Sequence, residues 1–168
     1  ASHRYNTVDV FTRTPLKGNA LAVVHGAETL SDAAMQQLAH WTNLRETTFL
    51  LPPTNAAADY RVRIFYPNGE LPFAGHPTLG TCHAWLAAGG QPKNRAEVVQ
   101  QCGVGLVRVR RDGSRLAFAA PPLKRTGAAD EATRAALARS LRIEPGTIRA
   151  AQWVANGPEW VAVMLGSR

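Results

Sequence analysis

Apolar and polar residues alternate along Tyr5-Asn6-Thr7-Val8-Asp9-Val10-Phe11, the period of two that predicts a first strand over 5–11. Pro15-Leu16-Lys17-Gly18-Asn19 carries turn chemistry, since Pro presets its own dihedral while Gly and Asn tolerate left-handed backbone. A short apolar strand follows over 20–24. Ser31 is a good N-cap, with Leu30 behind it where a hydrophobic staple would sit. From there Met35, Leu38, Ala39 and Thr42 recur at helical spacing until Asn43 offers a stop.

Two strands come next. Residues 47–51 are apolar and β-branched, and 59–66 alternate Tyr60, Val62, Ile64 and Tyr66 against Arg61 and Arg63. Pro67-Asn68-Gly69 closes the second with a turn. Residues 77–88 predict a second helix, with Pro77 at its first position and Gly89-Gly90 at its end. Leu79, Cys82, Ala84, Trp85, Leu86 and Ala87 make it apolar on nearly all sides, so it is expected to be enclosed by sheet. Three strands are expected within 96–120, the last two joined through Asp112-Gly113, a strong hairpin signal. Beyond Pro121-Pro122, read as a linker, lie an amphipathic helix over 130–141 and apolar strands over 150–155 and 159–165, separated by Asn156-Gly157-Pro158. The strand-turn-strand-helix order reappearing after the linker hints at a weak internal repeat. Those last elements are too few to bury a core of their own. Either they dock on the first domain, or the natural unit is longer than this chain.

Composition narrows the class. Among 168 residues, 45% are hydrophobic and 18% charged, as in a soluble globular protein. No apolar run approaches the ~20 residues of a membrane span. The N-terminus lacks a signal-peptide core, so a cytoplasmic location is the default expectation. The net charge of +7 and pI of 10.2 would suit a nucleic-acid partner, but the arginines are spread singly over strand faces with no interleaved stacking platform. Nucleic acid is therefore not expected. Cys82 and Cys102 form no CxxC pair and have no histidines at ligand spacing, which argues against zinc and favours two buried thiols over a disulfide.

Three segments combine polar groups with glycine in apolar surroundings. Gly18-Asn19 alone reads as a turn. In Asn43-Leu44-Arg45-Glu46-Thr47-Thr48-Phe49, Glu46 falls between a helix end and an apolar strand, where desolvation would raise its pKa into the range useful for proton transfer. A surface glutamate paired with Arg45 or a strand arginine accounts for it equally well. In Leu71-Pro72-Phe73-Ala74-Gly75-His76-Pro77-Thr78-Leu79-Gly80, the backbone N–H groups of Gly75 and His76 directly precede the buried helix. They form an anion site suited to a carboxylate or a developing enolate, to which His76 can add a hydrogen bond or a proton. A purely structural capping role for His76 is the weaker reading. His83, on the apolar helix, reads as a core histidine. There is no dinucleotide fingerprint, phosphate loop or nucleophile elbow.

These blocks, with Arg61-Val62-Arg63-Ile64-Phe65, Glu70-Leu71-Pro72-Phe73-Ala74-Gly75-His76-Pro77-Thr78-Leu79-Gly80 and Asn156-Gly157-Pro158-Glu159-Trp160, resemble in order and interval the signature segments of the PhzF-like phenazine-biosynthesis isomerases. The resemblance spans essentially the whole chain and is most specific around His76. It implies an α/β (α+β) fold similar to diaminopimelate epimerase, with curled mixed sheets each around a central helix. A first domain would occupy 1–120, and 123–168 would begin a second, incomplete one. Proline-type racemases are more distant relatives that use two cysteines as acid and base. Position 74 is alanine here, so a two-thiol mechanism is not available.

What the resemblance implies is a cofactor-independent isomerase that moves a proton on a small carboxylated substrate, cyclic or amino-acid-derived. Glu46 would be the proton shuttle, with His76 as its catalytic partner, and Gly75, His76, Pro77 and Asn19 would line the substrate site. No metal is implied. Two departures stand out: Arg45 replaces a small hydroxyl residue beside the glutamate, and an Asp and a Gly-Ser segment of the second half have no match. A homodimer, or a complementary chain supplying the missing half, is the partner expectation. A non-catalytic binding or self-association module is the alternative function.

Overall fold

The structure is a computed structural model that describes residues 2–156 and 158–166. The chain divides into two units, Ala1–Pro121 and Pro122–Arg168.

The first unit holds β1 (Tyr5–Val10), β2 (Asn19–Val24), α1 (Asp32–Thr42), β3 (Glu46–Leu51), β4 (Tyr60–Tyr66), β5 (Gly69–Leu71), α2 (Gly75–Ala87), β6 (Glu97–Cys102), β7 (Gly105–Asp112) and β8 (Arg115–Phe118). One mixed sheet runs β1-β2-β3-β4-β6-β7-β8, with β5 also paired to β4. β2–β3 and β4–β6 are parallel, and the other pairs are antiparallel. Parallel neighbours need a crossover, and the two helices supply it.

Alternation along the strands sorts the side chains to the two helices. Leu21, Val23, Leu50, Tyr60, Val62, Ile64, Val98 and Val109 pack with Cys82 and Ala84 of α2. Val24, Phe49 and Phe65 pack with Met35 and Ala39 of α1 on the opposite face. Gly80 lets α2 approach the sheet, because a Cβ there would lie 2.6 Å from Leu21 Cδ2 and 2.8 Å from Val10 Cγ2.

Helix α1 is bounded as its sequence predicts. The Ser31 hydroxyl accepts from the Ala34 N–H, and Asn43 ends the helix at φ 51°. Helix α2 begins two residues earlier than expected, so Pro77 is its third residue and Gly75 and His76 are its first two. Proline is tolerated there because the first turn's N–H groups have no acceptor within the helix. The sheet does not enclose α2 completely. His83, expected in the core, is exposed beside a groove of about 440 Å³ between α2, β1 and the β7–β8 turn. Cys82 is buried, but Cys102 at the end of β6 is only half-buried, correcting the expectation of two buried thiols; both are free. Strand β5 is not expected from the sequence and takes in Gly69, the last residue of the expected turn; three residues are too few to show a period.

The second unit contains β9 (Arg125–Ala128), α3 (Glu131–Leu141), β10 (Ile148–Ala155) and β11 (Val161–Leu165), in sheet order β11-β10-β9 with antiparallel pairing. Strand β9 lies between the Pro121-Pro122 linker and the expected helix, where no element is expected; its residues are all exposed, so no apolar alternation marked it. Asp130 caps α3 rather than beginning it, accepting from the Thr133 N–H at 2.7 Å. Ala129, Ala138, Ile148 and Ala151 form a small buried cluster. Strand β11 starts at Val161, two residues later than expected, and Gly157 of the expected Asn-Gly-Pro turn lies outside the described residues.

Candidate active site

Glu46 is the first residue of β3 and His76 the second of α2, and the fold brings them together. Glu46 Oε2 lies 3.4 Å from His76 Nε2, with both side chains about nine-tenths buried. Neither atom has a hydrogen-bond partner of acceptable geometry among the described residues. Burial raises the Glu46 carboxyl above its ordinary range, against the pull of the Arg45 cation. Burial also lowers the His76 imidazole, opposed by backbone hydrogen bonding at Ala20 and reinforced by Arg45. Each shift favours the uncharged form of its group. The strand arginines do not claim Glu46: Arg63 is held by Glu70 at 2.8 Å and by Asp32. Arg45 is exposed and forms no ion pair among the described residues.

The backbone around the pair follows from local chemistry. Ala74 is the N-cap of α2 and has no side-chain acceptor to offer. The Thr78 N–H bonds the Ala74 carbonyl at 3.2 Å and Pro77 has no N–H, so the free donors of the first turn are those of Gly75 and His76. Gly75 packs against the Phe118 ring, 3.4 Å from where a Cβ would stand. Pro77 is buried.

Asn19 begins β2 two residues before Leu21, which is the register partner of Glu46. Gly18 N–H bonds Asp9 Oδ1 at 3.0 Å, and a Cβ on Gly18 would collide with the Val10 carbonyl, so only glycine allows the turn that delivers Asn19. Among the described residues no hydrogen bond joins Asn19 to Glu46 or His76, although the backbone of its neighbour Ala20 hydrogen-bonds the His76 ring.

The sequence did not mark Phe11 as part of the site. It adopts φ 67° and is 71% exposed, and its ring centroid lies 6.4 Å from that of His76. An exposed aromatic in left-handed backbone has no sequence signature. Among the described residues no three His, Cys, Asp or Glu side chains gather as a metal site, and no helix is long and apolar enough to cross a membrane.

The family model for phenazine biosynthesis-like protein matches residues 8–168. The chain belongs to the PhzC-PhzF family. A PhzF-family protein from Bacillus anthracis aligns over 99% of this chain and 57% of its own, with TM-score 0.74 and 23% identity, a likeness of fold. A predicted epimerase from Pseudomonas aeruginosa is closer at 30% identity and TM-score 0.81, over 99% of this chain and 60% of its own. Antisense-enhancing sequence 1 of Schizosaccharomyces pombe is 36% identical over 97% of this chain and 57% of its own length. The trans-2,3-dihydro-3-hydroxyanthranilate isomerase of Pseudomonas chlororaphis is 50% identical over 82 residues, 49% of this chain and 29% of its own. This PhzF-family chain thus spans rather more than half the length of the relatives that match it throughout.

Proposed function

We propose that this chain carries the proton-transfer half of a PhzF-type isomerase acting, without cofactor, on a small carboxylated substrate. The observation that carries the reading is the buried meeting of Glu46 and His76, with burial driving the two groups in opposite directions. A carboxyl raised towards neutrality is a stronger base once ionised and a usable acid once protonated. In the isomerisation, Glu46 takes a proton from a substrate C–H. The electron pair of that bond spreads into the adjoining unsaturated system, and the protonated Glu46 returns the proton to another carbon on the same face. His76, in the tautomer bearing its proton on Nε2, and the free N–H groups of Gly75 and His76 stabilise the negative charge that develops. Pro77 and Asn19 complete the substrate-binding set in this proposal.

The 50% identity to an enzyme named trans-2,3-dihydro-3-hydroxyanthranilate isomerase supports that compound as a first probe. In D2O, the wild-type protein is expected to wash deuterium into the probe and Glu46→Gln to wash in none. Equal incorporation by both would overturn the assignment. No incorporation by the wild-type protein would favour a non-catalytic module.

A further inference from the structure

Two chains of buried hydroxyl and amide groups run through the apolar core and involve the strand and helix that carry Glu46 and His76. In the first, the Thr81 hydroxyl of α2 donates to Thr48 Oγ1 at 2.8 Å, and Thr48 donates to the Ala22 carbonyl at 3.2 Å. In the second, the Tyr60 hydroxyl donates to Gln100 Oε1 at 3.0 Å and Gln100 Nε2 donates to Thr78 Oγ1 at 3.0 Å. The Thr78 hydroxyl then donates to the Ala74 carbonyl at 2.9 Å. Thr48, Thr78, Thr81 and Gln100 have no exposed surface. Polar groups so deep in an apolar cluster stabilise little, because their hydrogen bonds mainly offset their own desolvation. What such satisfied chains do supply is a single permitted arrangement of the elements they join.

The elements joined are those that carry the site. Glu46 and Thr48 are two residues apart on β3 and face the same side of the sheet, while His76 and Thr81 lie on α2. The Thr81–Thr48 bond is therefore a crosslink one rung from the pair. The Gln100 chain holds the other side of the same helix end, at the carbonyl directly before Gly75. Thr42 and Thr47 hydroxyls meet at 3.2 Å, tying α1 to the opposite face of β3. Nothing else among the described hydrogen bonds links α2 side chains to β3.

We propose that Thr81 and Thr48 are positioning residues that set the separation of Glu46 and His76, with Gln100 fixing the first turn of α2 by a second tether. Among the described residues neither threonine hydrogen-bonds Glu46 or His76. The proposal rests on the proton-transfer reading for its effect on turnover, but its effect on geometry can be read without any substrate. The His76 ring titration, followed by NMR, reports the surroundings of His76 directly, whether or not the protein turns anything over.

The test compares Thr81→Ala with Thr81→Ser, the second keeping the hydroxyl and losing only a methyl group. In Thr81→Ala the His76 midpoint is expected to rise towards the ordinary histidine value, and deuterium exchange into trans-2,3-dihydro-3-hydroxyanthranilate should fall about 10²-fold in kcat at little-changed KM. Thr81→Ser should restore both. Equal midpoints in wild type and Thr81→Ala would overturn the proposal while leaving the isomerase reading intact. So would equal displacement in the Ala and Ser variants, which would assign the effect to packing. If Thr81→Ala does not fold, Thr48→Ser and Thr48→Val decide in the same way. A displaced midpoint rescued by the hydroxyl, in a protein inert towards the probe, would sustain the positioning role and sink the activity.

Discussion

The Glu46 carboxyl and the His76 imidazole meet end to end at 3.4 Å across the seam between a strand and a helix. Each is held where its charged form is disfavoured, so the pair is described by what it resists as much as by what it does.

Replacing Glu46 by Gln preserves shape and removes the base. Turnover of the dihydro-hydroxyanthranilate probe is expected to fall by about 10²–10⁴-fold, the usual contribution of a positioned acid–base group. Circular dichroism should remain that of the wild type. A variant within threefold of wild-type kcat would remove Glu46 from the chemistry.

The same substitution has a stability consequence whose sign follows from linkage. The folded state raises the Glu46 pKa, so the unfolded chain ionises first and burial of Glu46 lowers stability once the pH exceeds the ordinary carboxylate value. Glu46→Gln should thus be more stable than wild type at pH 8, with the difference vanishing near pH 4. The folded state lowers the His76 pKa, so its burial lowers stability as the pH falls below the ordinary histidine value. His76→Gln should gain relative stability at pH 5 and lose that gain at pH 8. Urea titrations at the three pH values check both signs.

Gly80→Ala places a methyl group against Leu21 and Val10, both in the apolar cluster around α2. Overpacking of this kind costs about 1–3 kcal/mol, and contacts as close as 2.6 and 2.8 Å put it in the upper part of that range, above the roughly 1 kcal/mol gained from alanine's helix preference. A lower urea midpoint at unchanged slope is the expected result, and an unchanged midpoint would mean the helix can shift without loss.

The two thiols should react in sequence. Burial pushes Cys82 up to about 12, and it also raises Cys102, which is more open to solvent. With an aromatic disulfide reagent at pH 8, one slow equivalent from Cys102 is expected, and the second only on unfolding. Two equivalents released together by the native protein would contradict the burial of α2.

Much of this was legible along the chain because local pattern and tertiary burial agree. The alternation in 59–66 and the capped periodicity after Ser31 produced β4 and α1 within a residue of their boundaries. Glu46 and His76 stood out as polar groups at element junctions. Where pattern failed, the deciding contact lay far away in sequence. His83 is exposed because the sheet leaves a groove along α2, which helical periodicity alone does not show. Strand β9 has no buried residue to betray it. Gln100 looked like an ordinary polar residue in a strand until Tyr60 and Thr78, 40 and 22 positions away, arrived on its amide.

The sheet order of the first unit follows the chain almost without interruption, and every strand pairs with a near neighbour in sequence. Such topologies close short loops and fold by local steps. Glu46 and His76 both come from this one stretch, 30 residues apart. Their spacing is thus inherited from a single stretch of chain, set by the pairing of β2, β3 and β4 and by the helix that follows them.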